Sequence, residues 1–170
     1  YTSRTILDPK NMPPGGKERW SDINSGHELY CVGHLYEAGV AYFEATGKRS
    51  LLDVAIKNAN LVCQVFGPGK NTHPPGHPEI EIALCRLYRA TGDSKYLDEA
   101  KFFVDMRGRP VNRNRFSHYA QDHQPLAEQS DAVGHAVRAA YLYAGTAEVT
   151  ALTGESTYSK ALDRIWNSAV

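Results

Sequence analysis

Three times along the chain an apolar helical run ends in a short Thr-Gly turn, and a second, more mixed helical run follows. The turns are Ala45-Thr46-Gly47-Lys48-Arg49-Ser50-Leu51-Leu52, Ala90-Thr91-Gly92-Asp93-Ser94-Lys95-Tyr96-Leu97 and Leu152-Thr153-Gly154-Glu155-Ser156-Thr157-Tyr158-Ser159. A glycine there fits the left-handed residue that closes a helix, and Asp93/Ser94 or Glu155/Ser156 fits the start of the next. The pattern predicts leading helices over about 27–45, 78–90 and 135–152. At 100° per residue, Leu29, Val32, Tyr36, Val40 and Phe43 share one face of the first. His27, Cys31, His34, Ala38, Ala41 and Ala45 share the other. The third carries only Arg138 and Glu148 as charges, which predicts a helix enclosed by protein. The trailing helix over 94–107 alternates Tyr96, Leu97, Ala100, Phe103 and Val104 with Lys95, Asp98, Glu99, Lys101 and Asp105, as a half-exposed helix does.

Enclosed leading helices and half-exposed trailing ones predict an all-α protein built as two concentric layers, an α/α toroid. Hairpins are expected over about 27–66, 77–107 and 135–169, after an irregular lead-in over 1–26. A flat solenoid is the competing arrangement. The turn glycines, however, stand 45 and then 62 residues apart, too uneven for a regular array. Three hairpins make about half of an (α/α)6 barrel, and a half ring leaves an open apolar seam. The remainder of a ring is therefore expected, and the chain is read as part of a larger toroid.

The composition is that of a globular protein: 42% hydrophobic, 22% charged, with nineteen basic and nineteen acidic side chains. That balance gives no field to attract nucleic acid or an anionic membrane, and no stretch has the length of a membrane span. The compartment cannot be read from a chain that starts at Tyr1. Cys31, Cys63 and Cys85 lack the pairing and spacing of a disulfide framework or zinc site, and are read as three small buried thiols.

The chemistry lies in histidine. Gly-His pairs occur at His27, His34, His77 and His135, three of them at or just before a leading helix. Such placement predicts imidazoles from several hairpins aimed at one cavity mouth, where they exchange hydrogen bonds with a polar ligand. His27, Cys31 and His34 fall within about 60° on a helix, but zinc would need further ligands. No metal is assigned to them. Pro78 is expected in the first helical turn, with Glu79 there complementing the helix dipole. The segment from Ser117 to Pro125, with Glu128-Gln129, offers Tyr, Gln, Asp and His suited to sugar hydroxyls. The basic run Arg107, Arg109, Arg113 and Arg115 before it reads as a solvated loop. Glu28, Glu79, Glu128 and Asp131 are the acids near the expected mouth, and nothing local marks one as a catalytic acid.

The run His27-Glu28-Leu29-Tyr30 with Gly33-His34, then Ala45-Thr46-Gly47-Lys48-Arg49 and Pro75-Gly76-His77, resembles glycoside hydrolase family 127, the β-L-arabinofuranosidases. So do Tyr96-Leu97-Asp98-Glu99-Ala100-Lys101-Phe102-Phe103, Gln124-Pro125 with Glu128-Gln129, and Ala132-Val133-Gly134-His135-Ala136-Val137-Arg138-Ala139. The resemblance runs in order over nearly the whole chain. It implies a bacterial enzyme with an (α/α)6 barrel followed by β-sandwich domains, hydrolysing β-L-arabinofuranosides with retention. It also implies a zinc-bound cysteine thiolate as nucleophile and a glutamate as acid/base. These, with the zinc ligands, are expected beyond Val170, so no cofactor is assigned to this chain and its own activity is expected to be absent. What carries over is a set of sugar-binding histidines: His77, His135, and either His34 or His27. Two other readings remain open: an α/α-barrel sugar epimerase with paired histidines, and a non-catalytic helical-repeat binding module. The first needs two imidazoles facing each other across a sugar; the second predicts scattered ones.

Overall fold

A computed structural model describes residues 18–170. Most of the expected lead-in lies outside the described residues. Six helices follow: α1 (Glu28–Thr46), α2 (Ser50–Val65), α3 (Ile80–Thr91), α4 (Ser94–Met106), α5 (Ala136–Thr153) and α6 (Ser156–Ala169). Two 3-10 turns, His118–Ala120 and Leu126–Glu128, lie in the long connection before α5. Among the described residues there is no strand, only an isolated bridge between Phe66 and Asn71.

The Thr-Gly turns owe their recurrence to one local device. Gly47, Gly92 and Gly154 sit at φ 70°, 74° and 73°, and their N–H groups bond back to Phe43, Tyr88 and Thr150. The threonine before each glycine donates its hydroxyl to the carbonyl four residues back, at 2.6, 2.7 and 2.8 Å. The same oxygen accepts the N–H two residues on, from Lys48, Asp93 and Glu155. One threonine thus closes the old helix and steers the chain toward the new one. Asp93 and Glu155 then cap α4 and α6 by accepting from Lys95 and Thr157.

The leading helices pack side by side, α1 on α3 and α3 on α5, and each trailing helix lies behind its partner. This is an all-α, two-layer arc of three hairpins. The core between the layers is filled by Tyr36, Leu52, Phe66, Leu84, Leu87, Tyr96 and Phe103. Phe66 meets Trp20 and Phe103 edge-on, with ring centroids 5.4 Å apart in each case. Two core tyrosines keep their hydroxyls satisfied on the outer layer: Tyr36 donates to Asn58 at 2.6 Å and Tyr96 to Asn60 at 2.8 Å.

The expected enclosure of the third leading helix is not what the described residues show. Ala136, Val137, Ala140, Ala144, Ala147 and Ala151 of α5 are exposed, as are Cys31, Ala38, Ala41 and Ala45 of α1. Both helices bury one side against the neighbours present and leave the other open, because a helix at either end of an arc has one inner-layer neighbour. Cys31 is accordingly exposed and Cys63 only partly buried; Cys85 alone is a buried thiol.

Glu99 is buried on α4 with Oε1 lacking a hydrogen-bond partner. Burial pushes its carboxyl up to about 7, although the Lys70 ammonium pulls the other way. A carboxyl raised in the folded state destabilises that state once ionised. The Glu99 contribution is therefore most favourable below about pH 4.5, falls as pH rises toward 7, and is level beyond. Glu99→Gln is expected to remove this slope and to exceed the parent by about 2–3 kcal/mol at pH 8. Urea unfolding at pH 5 and pH 8 checks it: the two proteins should diverge only at the higher pH.

Candidate functional site

The four Gly-His histidines lie in one patch at the entrances of the leading helices. His77 stands at its centre, with ring centroids 5.5 Å from His27, 6.3 Å from His135, 4.4 Å from Tyr30 and 5.7 Å from Tyr141. His34 joins through Tyr30 at 4.5 Å and Tyr141 at 6.0 Å. Imidazoles from all three hairpins thus share a hollow whose walls are tyrosine. Sequence reasoning passed over Tyr30 and Tyr141. Tyr30 had a signal, since it stands three residues after His27 and four before His34, the spacings that bring helix side chains together. Tyr141 had none, because its partners belong to other hairpins.

Hydrogen bonds settle which ring nitrogen carries the proton in two of the four. His77 Nδ1 lies 2.8 Å from the Pro78 carbonyl, an acceptor only, so Nδ1 bears the hydrogen. Burial holds His77 below the usual histidine range, against the pull of that carbonyl. The ring is therefore neutral and its Nε2 is an acceptor. His135 is arranged the other way: its Nδ1 accepts the Arg138 N–H at 3.3 Å, capping α5, so Nε2–H is a donor. The hollow offers a fixed acceptor beside a fixed donor, the pair a hydroxyl uses at once. His27 sits at the start of α1, where its ring caps no backbone donor.

The bond from His77 also corrects the expected start of the second leading helix. With the Pro78 carbonyl held by His77 and the Glu79 N–H taken by the Glu81 carboxylate at 3.0 Å, α3 begins at Ile80 and Pro78 lies outside it.

Two further expectations change. The basic run is solvated only at Arg109 and Arg115: Arg107 is fully buried and Arg113 nearly so. Arg107 donates to the Pro75 carbonyl at 2.7 Å and the Ala120 carbonyl at 3.2 Å, and lies 3.7 Å from the buried Glu81 carboxylate. Arg138, from α5, donates to the Gly76 carbonyl at 2.9 Å. The two carbonyls preceding His77 are each pinned by a buried guanidinium. The polar segment from Ser117 to Gln129 likewise turns inward. Asp122 accepts from Arg113 at 2.6 and 2.8 Å, from Gly108 N–H at 2.5 Å and from Phe116 N–H at 2.6 Å. Gln121 and Gln129 bond to backbone carbonyls, among them that of His135. His118 and His123 stack on each other at 4.3 Å. These groups build the platform that presents His135, while Tyr119 of the same segment stays exposed and meets His135 edge-on at 5.2 Å.

Of the four acids near the mouth, only Glu79 borders the histidines. Glu28 turns back to accept the Trp20 N–H at 2.7 Å, and Glu128 and Asp131 are exposed elsewhere. Glu79 was expected to complement the helix dipole from the first helical turn; it lies just before α3, fully buried, with neither carboxyl oxygen in a hydrogen bond. Burial, and the Glu37 carboxyl against it, push it up to about 10. Its Oε2 lies 1.5 Å from where a side chain on Gly33 would begin, so Gly33 is bare because Glu79 fills that space. Glu37 in turn pairs with Arg86 at 3.1 Å. The expected face of His27, Cys31 and His34 forms no metal cluster among the described residues; His34 turns instead to Glu37 and Glu79. Nor is any cysteine prepared as a thiolate. Burial raises all three, Cys63 and Cys85 to about 12.

An arc of α/α hairpins with imidazoles and tyrosines gathered at the helix entrances defines a helical-hairpin segment with a polar and aromatic ligand-type hollow. The chain belongs to the β-L-arabinofuranosidase family, whose GH127 catalytic-domain model matches residues 3–170. It is 37% identical over 174 residues to a non-reducing end β-L-arabinofuranosidase from Bifidobacterium longum subsp. longum, covering 91% of this chain and 26% of that relative. Among solved structures, the GH127 β-arabinofuranosidase BT3674 is 51% identical with a TM-score of 0.90, over all of this chain and 27% of its own. The GH127 β-L-arabinofuranosidase Ara127N-Se from Geobacillus stearothermophilus T6 is 40% identical with a TM-score of 0.83, over 89% of this chain and 27% of its own. The chain thus spans about a quarter of the relatives it matches.

Proposed function

We propose that these residues form the sugar-contacting wall of a glycoside hydrolase acting on β-L-arabinofuranosides. One observation carries the reading: His27, His77 and His135, from three different hairpins, meet within 6.3 Å ring to ring. The His77 acceptor beside the His135 donor suits an uncharged polyol, since a hydroxyl exchanges directed hydrogen bonds with both. In this reading His77 Nε2 accepts a sugar hydroxyl, His135 Nε2–H donates to one, and His27 closes the far side. Tyr30 and Tyr141 supply flat apolar surface for the sugar's C–H face. His34 stands one ring away, behind Tyr30.

The raised thiols of Cys31, Cys63 and Cys85 support assigning the family's thiolate nucleophile to another part of the protein. The zinc that the family carries would keep such a thiol ionised there. The epimerase alternative needs bases on opposite faces of a sugar ring. The adjacent pairs His27–His77 and His77–His135, with ring centroids 5.5 and 6.3 Å apart, stand too close to hold a sugar between their members. The binding-module alternative predicted scattered imidazoles, and these are gathered.

The test is hydrolysis of an aryl β-L-arabinofuranoside by the full-length protein. His77→Ala is expected to lower kcat/KM about 10- to 100-fold, the loss of one or two directed hydrogen bonds to substrate. His118→Ala, on the stacked pair, should stay within about twofold. Equal effects from both substitutions would refute the assignment of the hollow.

A further inference from the structure

We propose that His34, Glu37 and Glu79 form a divalent-metal site of the zinc class beside the histidine hollow, behind Tyr30. Three observations converge on it. First, the ligand atoms are already spaced for one ion. His34 Nδ1 lies 3.4 Å from Glu37 Oε2 and 3.5 Å from Glu79 Oε1, and the three donor atoms all lie within 4.8 Å of one another. A tetrahedral ion with bonds of about 2.1 Å holds its ligands about 3.4 Å apart. At 3.4–3.5 Å, by contrast, neither contact is a good hydrogen bond.

Second, Glu79 is a fully buried carboxyl whose two oxygens lack any hydrogen-bond partner. A buried polar group without a partner is costly, and a bound metal ion would satisfy both oxygens' need for one. The His34 imidazole stands beside Glu79, 3.5 Å from Oε1. Third, the surroundings fit the geometry. Arg86 engages Glu37 at Oε1, which leaves Oε2 directed at His34. Gly33 has no side chain, so the Glu79 carboxyl lies against the α1 backbone one residue from His34.

One imidazole and two carboxylates form a nitrogen and oxygen set suited to zinc, manganese or cobalt, with no thiolate preference. Three protein ligands leave a further position for water or a hydroxyl, as in zinc sites that meet substrate. The site stands independently of the sugar reading, because it is built from side chains that the sugar reading leaves behind Tyr30.

Zinc content per chain, measured on full-length protein after dialysis against zinc chloride and then buffer, tests it without any sugar present. The parent is expected to hold one more zinc than Glu79→Gln or Glu37→Gln, whatever other ions the protein carries. Zinc should also raise the parent's melting temperature more than either variant's. Cobalt substitution should give the parent stronger visible d–d bands than either variant, and the parent-minus-variant difference should carry no sulfur-to-metal charge transfer. If Glu79→Gln does not fold, as judged by circular dichroism, Glu37→Gln decides, since Glu37 is partly exposed. Equal zinc content and equal thermal response in the parent and the folded variants overturn the site, and Glu79 is then simply a protonated buried acid. That outcome would leave the His77 experiment untouched.

Discussion

Asp122→Ala is expected to destabilise the protein by about 3–5 kcal/mol, as measured by urea unfolding at pH 7. The carboxylate is the hub of the connection between α4 and α5. It takes two bonds from Arg113 and one each from the Gly108 and Phe116 N–H groups. Alanine would leave a buried guanidinium and two buried N–H groups without their acceptor, each carrying its own desolvation cost. The Arg113 side chain keeps only the Met106 and Asn114 carbonyls. The pH dependence has a definite sign. Burial opposes ionisation of Asp122, but Arg113, Arg107 and the two N–H groups outweigh it and hold the carboxyl below the ordinary value of 3.8. Its contribution is therefore complete above about pH 4 and is lost as pH falls below that. Asp122→Ala should flatten the acid limb of the stability curve. An acid limb unchanged in the variant would show that other carboxylates set it.

Arg107→Met should cost a similar amount, about 3–5 kcal/mol, and should also disturb the hollow. Its guanidinium is fully buried between Glu81 and the Pro75 and Ala120 carbonyls. Methionine keeps the volume, so the effect reads the lost charge and hydrogen bonds and not a cavity. Glu81, already raised by burial and held down chiefly by Arg107, then loses its cation and goes neutral. The Pro75 carbonyl is released two residues before His77, leaving Arg138 on Gly76 as the remaining clamp. The double variant Arg107→Met/Glu81→Gln removes both charges at once. It is expected to recover part of the lost stability, because the stranded partner is gone. A single variant as stable as the parent would contradict this account of the buried pair.

How much of this was legible beforehand differs from element to element. The hairpin turns were, because Thr46-Gly47, Thr91-Gly92 and Thr153-Gly154 act through bonds spanning two to four residues, and such devices are written in neighbouring letters. The helices of α1, α4 and α5 start and stop within a residue or so of where periodicity and caps place them. The start of α3 was missed by two residues, because a side chain, His77, competes for the Pro78 carbonyl. The histidine hollow was half legible: the Gly-His pairs mark helix entrances, and entrances of stacked hairpins lie at one end.

The sequence by itself determined the secondary structure, the pairing of helices into hairpins and the face of α1 that turns to the core. All of these follow from short-range spacing. Only the tertiary structure decided which polar residues are inside. Arg107 and Arg113 look solvated in a row of arginines, and Glu79 looks like a dipole complement in a first helical turn. Each is buried because its surroundings come from segments remote in the chain: Pro75 and Ala120 for Arg107, Asp122 for Arg113, Gly33 and His34 for Glu79. Local patterning records a residue's preference for water, whereas the balance of desolvation against a distant partner exists only once the chain has brought the two together.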